Sequence, residues 1–204
     1  MFDEWFRRYK ERWLAPLARV FGRFMGSTAL TLLGLVAGLG AAVAASRAAW
    51  RVALVLWLLN RLLDGVDGVL ARQSGRQSDF GGYLDIVCDF VVYAALPLGI
   101  ALALDVRAAW LASTVLLGSW FVNAASWMYL AAVLEKRGAG AAARGGFTTV
   151  TMPRGLVAGT ETVVLLALFL LMPSQYVLLA WIMTAGVAVG IGQRLVWAVR
   201  SLQA

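Results

Sequence analysis

The sequence predicts an all-α integral membrane protein of about six transmembrane helices preceded by an amphipathic interfacial helix. Three observations carry that reading. Hydrophobic residues make up 61% of the 204, and the mean hydropathy is +0.78, too apolar for an ordinary soluble domain. The apolar stretches run on for about 20 residues at a time, the length at which a helix crosses a hydrocarbon core roughly 30 Å thick. Basic residues gather at the ends of those stretches, where chain meets headgroup and water.

The elements follow in order. Within residues 1–24, Phe2, Trp5, Phe6, Tyr9, Trp13 and Leu17 recur at helical spacings, interleaved with Arg7, Arg8, Lys10 and Arg12. That pattern predicts an amphipathic helix lying in the membrane interface. Early acidic residues and the lack of a short apolar core before a cleavage site argue against a signal peptide. Spans are expected near 25–46, 50–72, 79–104, 108–135, 153–172 and 175–199, so that 1–204 reads as a single domain with a membrane core over 25–204. Short connections at 46–50 and 104–108 imply antiparallel neighbours. The longest loop, 136–152, contains Gly138, Gly140, Gly145 and Gly146 and reads as a flexible connector. No Gly-Lys-Ser/Thr follows, so it is not a phosphate-binding loop of the Walker type. Pro97 inside the third span reads as a kink, and tryptophans such as Trp50, Trp110 and Trp197 read as interfacial anchors.

Composition removes several chemistries. There is no histidine, which excludes imidazole catalysis and His-based zinc sites. The single cysteine, Cys88, excludes an intrachain disulfide and argues against a thiolate metal centre. Acid–base chemistry therefore falls to eleven carboxylates, and any metal is a hard, oxygen-seeking ion. The net charge of +7 suits nucleic acid or anionic lipid; with no nucleic-acid motif and the cations at span ends, it points to membrane lipids. With six spans, Arg19, Arg23, Arg72, Arg76, Lys136, Arg137, Arg144 and Arg200 share one side, against Arg47, Arg51 and Arg107 on the other. The positive-inside rule then places both termini in the cytoplasm, in an inner membrane. A preponderance of Arg over Lys, with abundant Ala, Gly and Leu, suggests a GC-rich bacterial source.

The second span is unusual. Its apolar run, Val52 to Leu59, gives way to Asn60, Arg61, Asp64 and Asp67, and the third span soon carries Asp85 and Asp89. Ionisable residues at membrane depth are costly and mark functional sites. Asp64, Asp67 and Ala71 fall on one helical face, as do Gly81, Asp85 and Asp89. A short loop joins the two helices, so these faces should oppose each other and bring four carboxylates around one small volume. Four bare anions repel, so protons or a cation must enter; magnesium, which favours carboxylates, waters and phosphates, is the natural partner. Gly65, Gly68, Ala71 and Gly81 leave room for a nucleotide against the helix backbones.

The run Asp64-Gly-Val-Asp67-Gly68-Val-Leu-Ala71-Arg72, then eight residues, Gly81, three residues, Asp85, three residues and Asp89 resembles the signature of the CDP-alcohol phosphatidyltransferase family. All eight fixed positions and both gaps agree across these 26 residues. The resemblance implies that Asp64, Asp67 and Asp85 hold two ions, Mg2+ or Mn2+, with Asp89 beside the metals as catalytic base. It implies that Arg72 meets the pyrophosphate and that Gly68, Ala71 and Gly81 form the CDP pocket. The implied reaction is attack of an acceptor hydroxyl on the lipid-linked phosphorus of a donor such as CDP-diacylglycerol, with release of CMP, by a homodimer. Instead of the Pro-Asn-Leu/Ile-Thr opening of many members, the first span here begins Gly26-Ser27-Thr28-Ala29-Leu30-Thr31.

Plainer readings stand beside these. The aspartates could form an ion-pair network with Arg61, Arg72 and Arg76. Asp79 reads as a helix N-cap, Cys88 as a packing residue, and Asn60 and Arg61 as supports for Asp64. Arg144 and Arg154 either bind a phosphorylated acceptor or simply obey the positive-inside rule; Glu161, inside an apolar run, calls for a specific partner. The acceptor stays open among glycerol 3-phosphate, inositol phosphate, serine, inositol, choline or another small alcohol. Two other functions compete: an aspartate-rich intramembrane prenyltransferase, which needs a second aspartate-rich motif, and an ion-binding transporter, which favours two repeated halves. Neither a second motif nor a second half resembling 64–89 is present.

Overall fold

A computed structural model describes residues 13–75, 77–139 and 159–202. The fold class holds: every element among the described residues is helical. Residues 13–21 form α1, followed by α2 (Ser27–Ser46), α3 (Trp50–Gln73), α4 (Asp79–Leu104), α5 (Arg107–Lys136), α6 (Gly159–Leu171), a 3₁₀ turn (Pro173–Gln175) and α7 (Tyr176–Leu202). Four of these segments are long and apolar enough to cross a membrane: α2, α4, α5 and the run Pro173–Leu202. α3 has the length, at 24 residues, but carries the charges of the site. α6 has 13 residues in the described range, and 153–158, where the sequence places the start of that span, lie outside it.

The chain divides into two compact units, Met1–Ala103 and Leu104–Ala204. In the first, α2 turns sharply into α3. Ala48 adopts φ +56°, and the Ala49 N–H reaches back to the Ala44 carbonyl, closing α2 with a left-handed cap usually made by glycine. α2 offers Gly34, Ala37, Gly38, Ala41, Ala42 and Ala45 to the interior and turns Leu32, Leu33, Val36 and Val43 outward. Small residues inside and large apolar ones outside is the arrangement expected when the solvent is lipid and helix association depends on close backbone approach.

That approach is tightest where α4 meets α2. A Cβ built on Gly99 would overlap the carbonyl oxygen of Ala42 and lie 3.1 Å from its carbonyl carbon. Gly99→Ala is therefore expected to destabilise the protein by about 1–3 kcal/mol through overpacking, seen as a lower melting midpoint in detergent. Gly118→Ala, with nothing within 4 Å, is the control and should melt as the wild type does or slightly higher.

α1 docks through Ala18, with Leu14 and Phe21, onto Leu30, Leu63, Val66, Val69 and Leu70. The interfacial-helix expectation is refined by this contact. Trp13, Leu17 and Val20 face outward, so the helix is apolar on two sides, one against α3 and one available to lipid. Residues 1–12 lie outside the described range. The tryptophans also divide: Trp50, Trp110 and Trp197 sit near helix ends, but Trp57 is fully buried in the first unit, so anchoring does not explain it.

In the second unit, Tyr176, Ala180, Met183, Val187, Gly190 and Arg194 form a buried stripe on α7 at alternating spacings of four and three, packed like a coiled-coil seam. Tyr176 hydrogen-bonds Ser113 on α5 and meets Phe169 edge to face. Arg194, 5% exposed, donates from Nη1 to Asn123 Oδ1 at 2.9 Å and to Ser126 Oγ at 2.6 Å. Pattern reading by charge along the chain did not single out this buried cation, although an arginine in an apolar run is the available signal. Glu161 lies exposed in the first turn of α6, where the helix dipole favours a carboxylate.

Candidate active site

The first unit gathers the acids as their helical spacing predicts. Asp64, Asp67, Asp85 and Asp89 line one pocket between α2, α3 and α4, together with Thr31, Gly34, Leu35, Asn60, Arg61 and Cys88. α3 and α4 present their carboxylates from facing surfaces, and α2 supplies the third wall. Cys88, expected as a packing residue, is buried and also lines this pocket.

Each acid is held differently. Asp67 is 5% exposed and accepts a 2.6 Å hydrogen bond at Oδ2 from the Thr31 hydroxyl. Thr31 has one hydroxyl proton and also faces the Ser27 carbonyl at 3.1 Å; the shorter, charge-assisted bond to Asp67 takes it. Asp89 accepts from Arg61 Nη2 at Oδ1, 2.6 Å, and from the Tyr93 hydroxyl at Oδ2, 3.3 Å. Asp64 lies 3.9 Å from Arg61 Nη1. The Asp64 and Asp89 side chains are about a quarter exposed, 25% and 27%, so they reach the pocket mouth.

Arg61 is 10% exposed, with its guanidinium 4.8 Å from the centre of the Trp57 ring and 5.3 Å from that of Tyr93. Its Nε donates to Asn60 Oδ1 at 2.7 Å, and its Nη1 to the Tyr93 hydroxyl at 3.0 Å. Asn60 in turn donates from Nδ2 to the Gly34 carbonyl at 2.8 Å. This corrects two expectations. Asn60 is turned toward Gly34 and Arg61 rather than toward Asp64, because a buried amide satisfies the carbonyl that packs against it. Arg61 is held closest to Asp89, across the helix pair, and only secondarily to Asp64 in its own helix.

A third correction concerns the start of α4. Ser78 Oγ accepts the Gly81 N–H at 3.1 Å, so Ser78 is the N-cap and Asp79 is the first helical residue. A Cβ on Gly81 would stand 3.2 Å from that hydroxyl; the glycine fits the cap closely. Gly68, Ala71, Arg72 and Gly81 do not line the acidic pocket. They lie toward the end of α3 and the start of α4, with Arg72 exposed and its Nη1 3.4 Å from where a Gly68 Cβ would be. Of the three arginines considered as ion partners, Arg61 pairs with these acids, and Arg76 lies outside the described residues. So do Arg144 and Arg154. Thr31, Tyr93 and Trp57 were missed by the sequence reading. Thr31 is an ordinary residue until its neighbour in another helix is known, whereas Tyr93 one turn after Asp89 and Trp57 one turn before Arg61 stand at spacings that the sequence does show.

An all-oxygen donor set with one arginine against four carboxylates suits a hard divalent ion. Among the described residues no three carboxylates converge closely enough to share one ion as they stand, so ligation requires side-chain rotation. Asp64 and Asp85, each partly exposed, have that room.

Comparison with known proteins agrees with this geometry. Residues 25–192 match the CDP-alcohol phosphatidyltransferase family. The chain belongs to that family. This transferase is 38% identical over 150 residues to the inner membrane protein YnjF of Escherichia coli, across 72% of this chain and 70% of that one. It is 39% identical over 70 residues to archaetidylinositol phosphate synthase of Pyrococcus horikoshii, across 34% and 36% of the two chains. Its fold resembles phosphatidylinositol phosphate synthase of Mycobacterium tuberculosis with CDP-DAG bound, at TM-score 0.71 and 22% identity over 90% of this chain and 92% of that one. The same synthase in complex with manganese and citrate gives 0.70 and 20% over 89% and 87%. The transferase is thus a multi-pass inner membrane enzyme of the CDP-alcohol phosphatidyltransferase class.

Proposed function

We propose that this enzyme transfers a phosphatidyl group from CDP-diacylglycerol to a small phosphorylated polyol, glycerol 3-phosphate or inositol phosphate, and releases CMP. The observation that carries the reading is the gathering of Asp64, Asp67, Asp85 and Asp89 around one pocket inside the family-matched region. Support for the donor comes from the CDP-DAG held by a protein of the same fold. Support for a phosphorylated polyol comes from the inositol phosphate in the names of two similar proteins and from Arg144 and Arg154 in this sequence.

Two ions, Mg2+ or Mn2+, would be held by Asp64, Asp67 and Asp85 with Asp89 beside them, and when bound they polarise the phosphoryl centre and stabilise the leaving oxygen. The protein's own residues do the rest. Arg72, at the open end of α3, meets the donor's pyrophosphate, while Gly68, Ala71 and Gly81 leave room for cytidine. Asp89 takes the proton from the acceptor hydroxyl. That oxygen bonds to the lipid-linked phosphorus, the bond from phosphorus to the CMP oxygen breaks, and CMP leaves with the electron pair. Asp67, buried and fixed by Thr31, anchors the site from below. The family resemblance supports a homodimer, and the charge asymmetry supports a pocket and both termini facing the cytoplasm.

The test is CMP release by purified protein given CDP-diacylglycerol, Mg2+ or Mn2+, and a panel of acceptors. Release is expected with glycerol 3-phosphate or inositol phosphate and not with serine, inositol or choline. Release with an uncharged alcohol alone would overturn the acceptor class and leave the transfer reaction standing.

A further inference from the structure

The signature accounts for four carboxylates, yet the structure spends more contacts on a residue outside it. Arg61 stands one turn before Asp64, and three of its donors are committed: Nε to Asn60, Nη1 to Tyr93 and Nη2 to Asp89. Both of its ring neighbours, Trp57 and Tyr93, flank the guanidinium. Asn60, which fixes Nε, is itself tied to the Gly34 carbonyl on α2. Three helices therefore determine where this guanidinium lies. Simple charge neutralisation needs no such arrangement, because a lysine on a flexible stem supplies the same charge.

The bonds also close a ring. Arg61 Nη1 donates to the Tyr93 hydroxyl, that hydroxyl donates to Asp89 Oδ2, and Arg61 Nη2 donates to Asp89 Oδ1. Donors and acceptors balance around it, with the phenol accepting once and donating once. Both oxygens of Asp89 are engaged, so the carboxylate plane and its distance from the pocket are set by partners on α3 and α4.

We propose that Arg61 and Tyr93 are positioning residues that clamp Asp89 in the orientation from which it meets the acceptor hydroxyl. The proposal rests on the transferase reading above. Reaction requires the accepting oxygen within hydrogen-bond reach of the hydroxyl, and misplacement by an ångström costs up to roughly a hundredfold in rate. A rotating Asp89 would spend much of its time out of reach. The clamp acts on the rate of the chemical step and leaves the donor's own contacts untouched.

The experiment compares wild type, Tyr93→Phe, Arg61→Lys and Arg61→Gln as full-length protein in detergent. It reads kcat, KM for CDP-diacylglycerol, and the Mg2+ concentration for half-maximal rate. Tyr93→Phe removes one oxygen and keeps the ring beside Trp57, so it should fold. It is expected to lower kcat roughly tenfold, with KM and metal requirement within about twofold of wild type. Arg61→Lys is expected to stay near Arg61→Gln in kcat, because a lysine cannot make the fork. Wild-type kcat in Tyr93→Phe, or in Arg61→Lys, would overturn the clamp and leave the transferase reading standing. A changed metal requirement at unchanged kcat would also overturn it, by assigning the pair to metal retention. No CMP release from wild type with any acceptor would overturn the transferase reading, and the clamp with it.

Discussion

Asp89→Asn is expected to lower CMP release by roughly a hundred- to ten-thousandfold, the range that general acid–base groups contribute, while the protein remains folded. The amide is isosteric with the carboxylate. Its oxygen can still accept from Arg61 Nη2. Arg61 also keeps Asn60, Asp64 and the Trp57 ring. What the variant loses is a basic oxygen, and therefore the place where the acceptor's proton goes. An unchanged melting midpoint with lost turnover is the expected pair of results. Turnover within threefold of wild type would remove Asp89 from proton transfer.

Chelation is expected to have a comparable effect. Two like unit charges ~5 Å apart repel by about 3 kcal/mol at an effective dielectric of ~20. The pocket gathers four carboxylates around the guanidinium of Arg61, and a divalent ion relieves the repulsion among them. EDTA should silence CMP release, and Mg2+ or Mn2+ should restore it. A second readout does not depend on turnover: an ion that binds only the folded protein, at about 100 times its Kd, adds about 2.7 kcal/mol of stability. The melting midpoint should therefore rise on adding metal to the chelated enzyme, and that rise should shrink in Asp64→Asn. Full turnover in metal-free buffer would sink the metal-dependent account.

Much of this protein is written in its sequence because the solvent is a bilayer. A chain in lipid must satisfy its backbone within each segment, so long apolar runs become helices and their ends carry the charge. The limits of α2, α3, α4 and α5 follow from that rule to within about two residues, and α7 extends three residues past its expected end. The acids were legible for a related reason. Charge at membrane depth is costly, so Asp64, Asp67, Asp85 and Asp89 stand out, and their spacings of three and four place them on facing surfaces.

Tertiary structure decided who holds them. Thr31 on Asp67, Arg61 on Asp89 and Asn60 on Gly34 are contacts between different helices, and helical periodicity carries no information about rotation of one helix against another. The start of α4 turned on a similar point, since only the hydroxyl position shows that Ser78 and not Asp79 caps it. Within one helix, composition and period determine which face is which. Between helices the outcome depends on close packing, such as Gly99 against Ala42 and Gly38 against Val92, which sets how far each helix turns and so which side chains meet in the pocket.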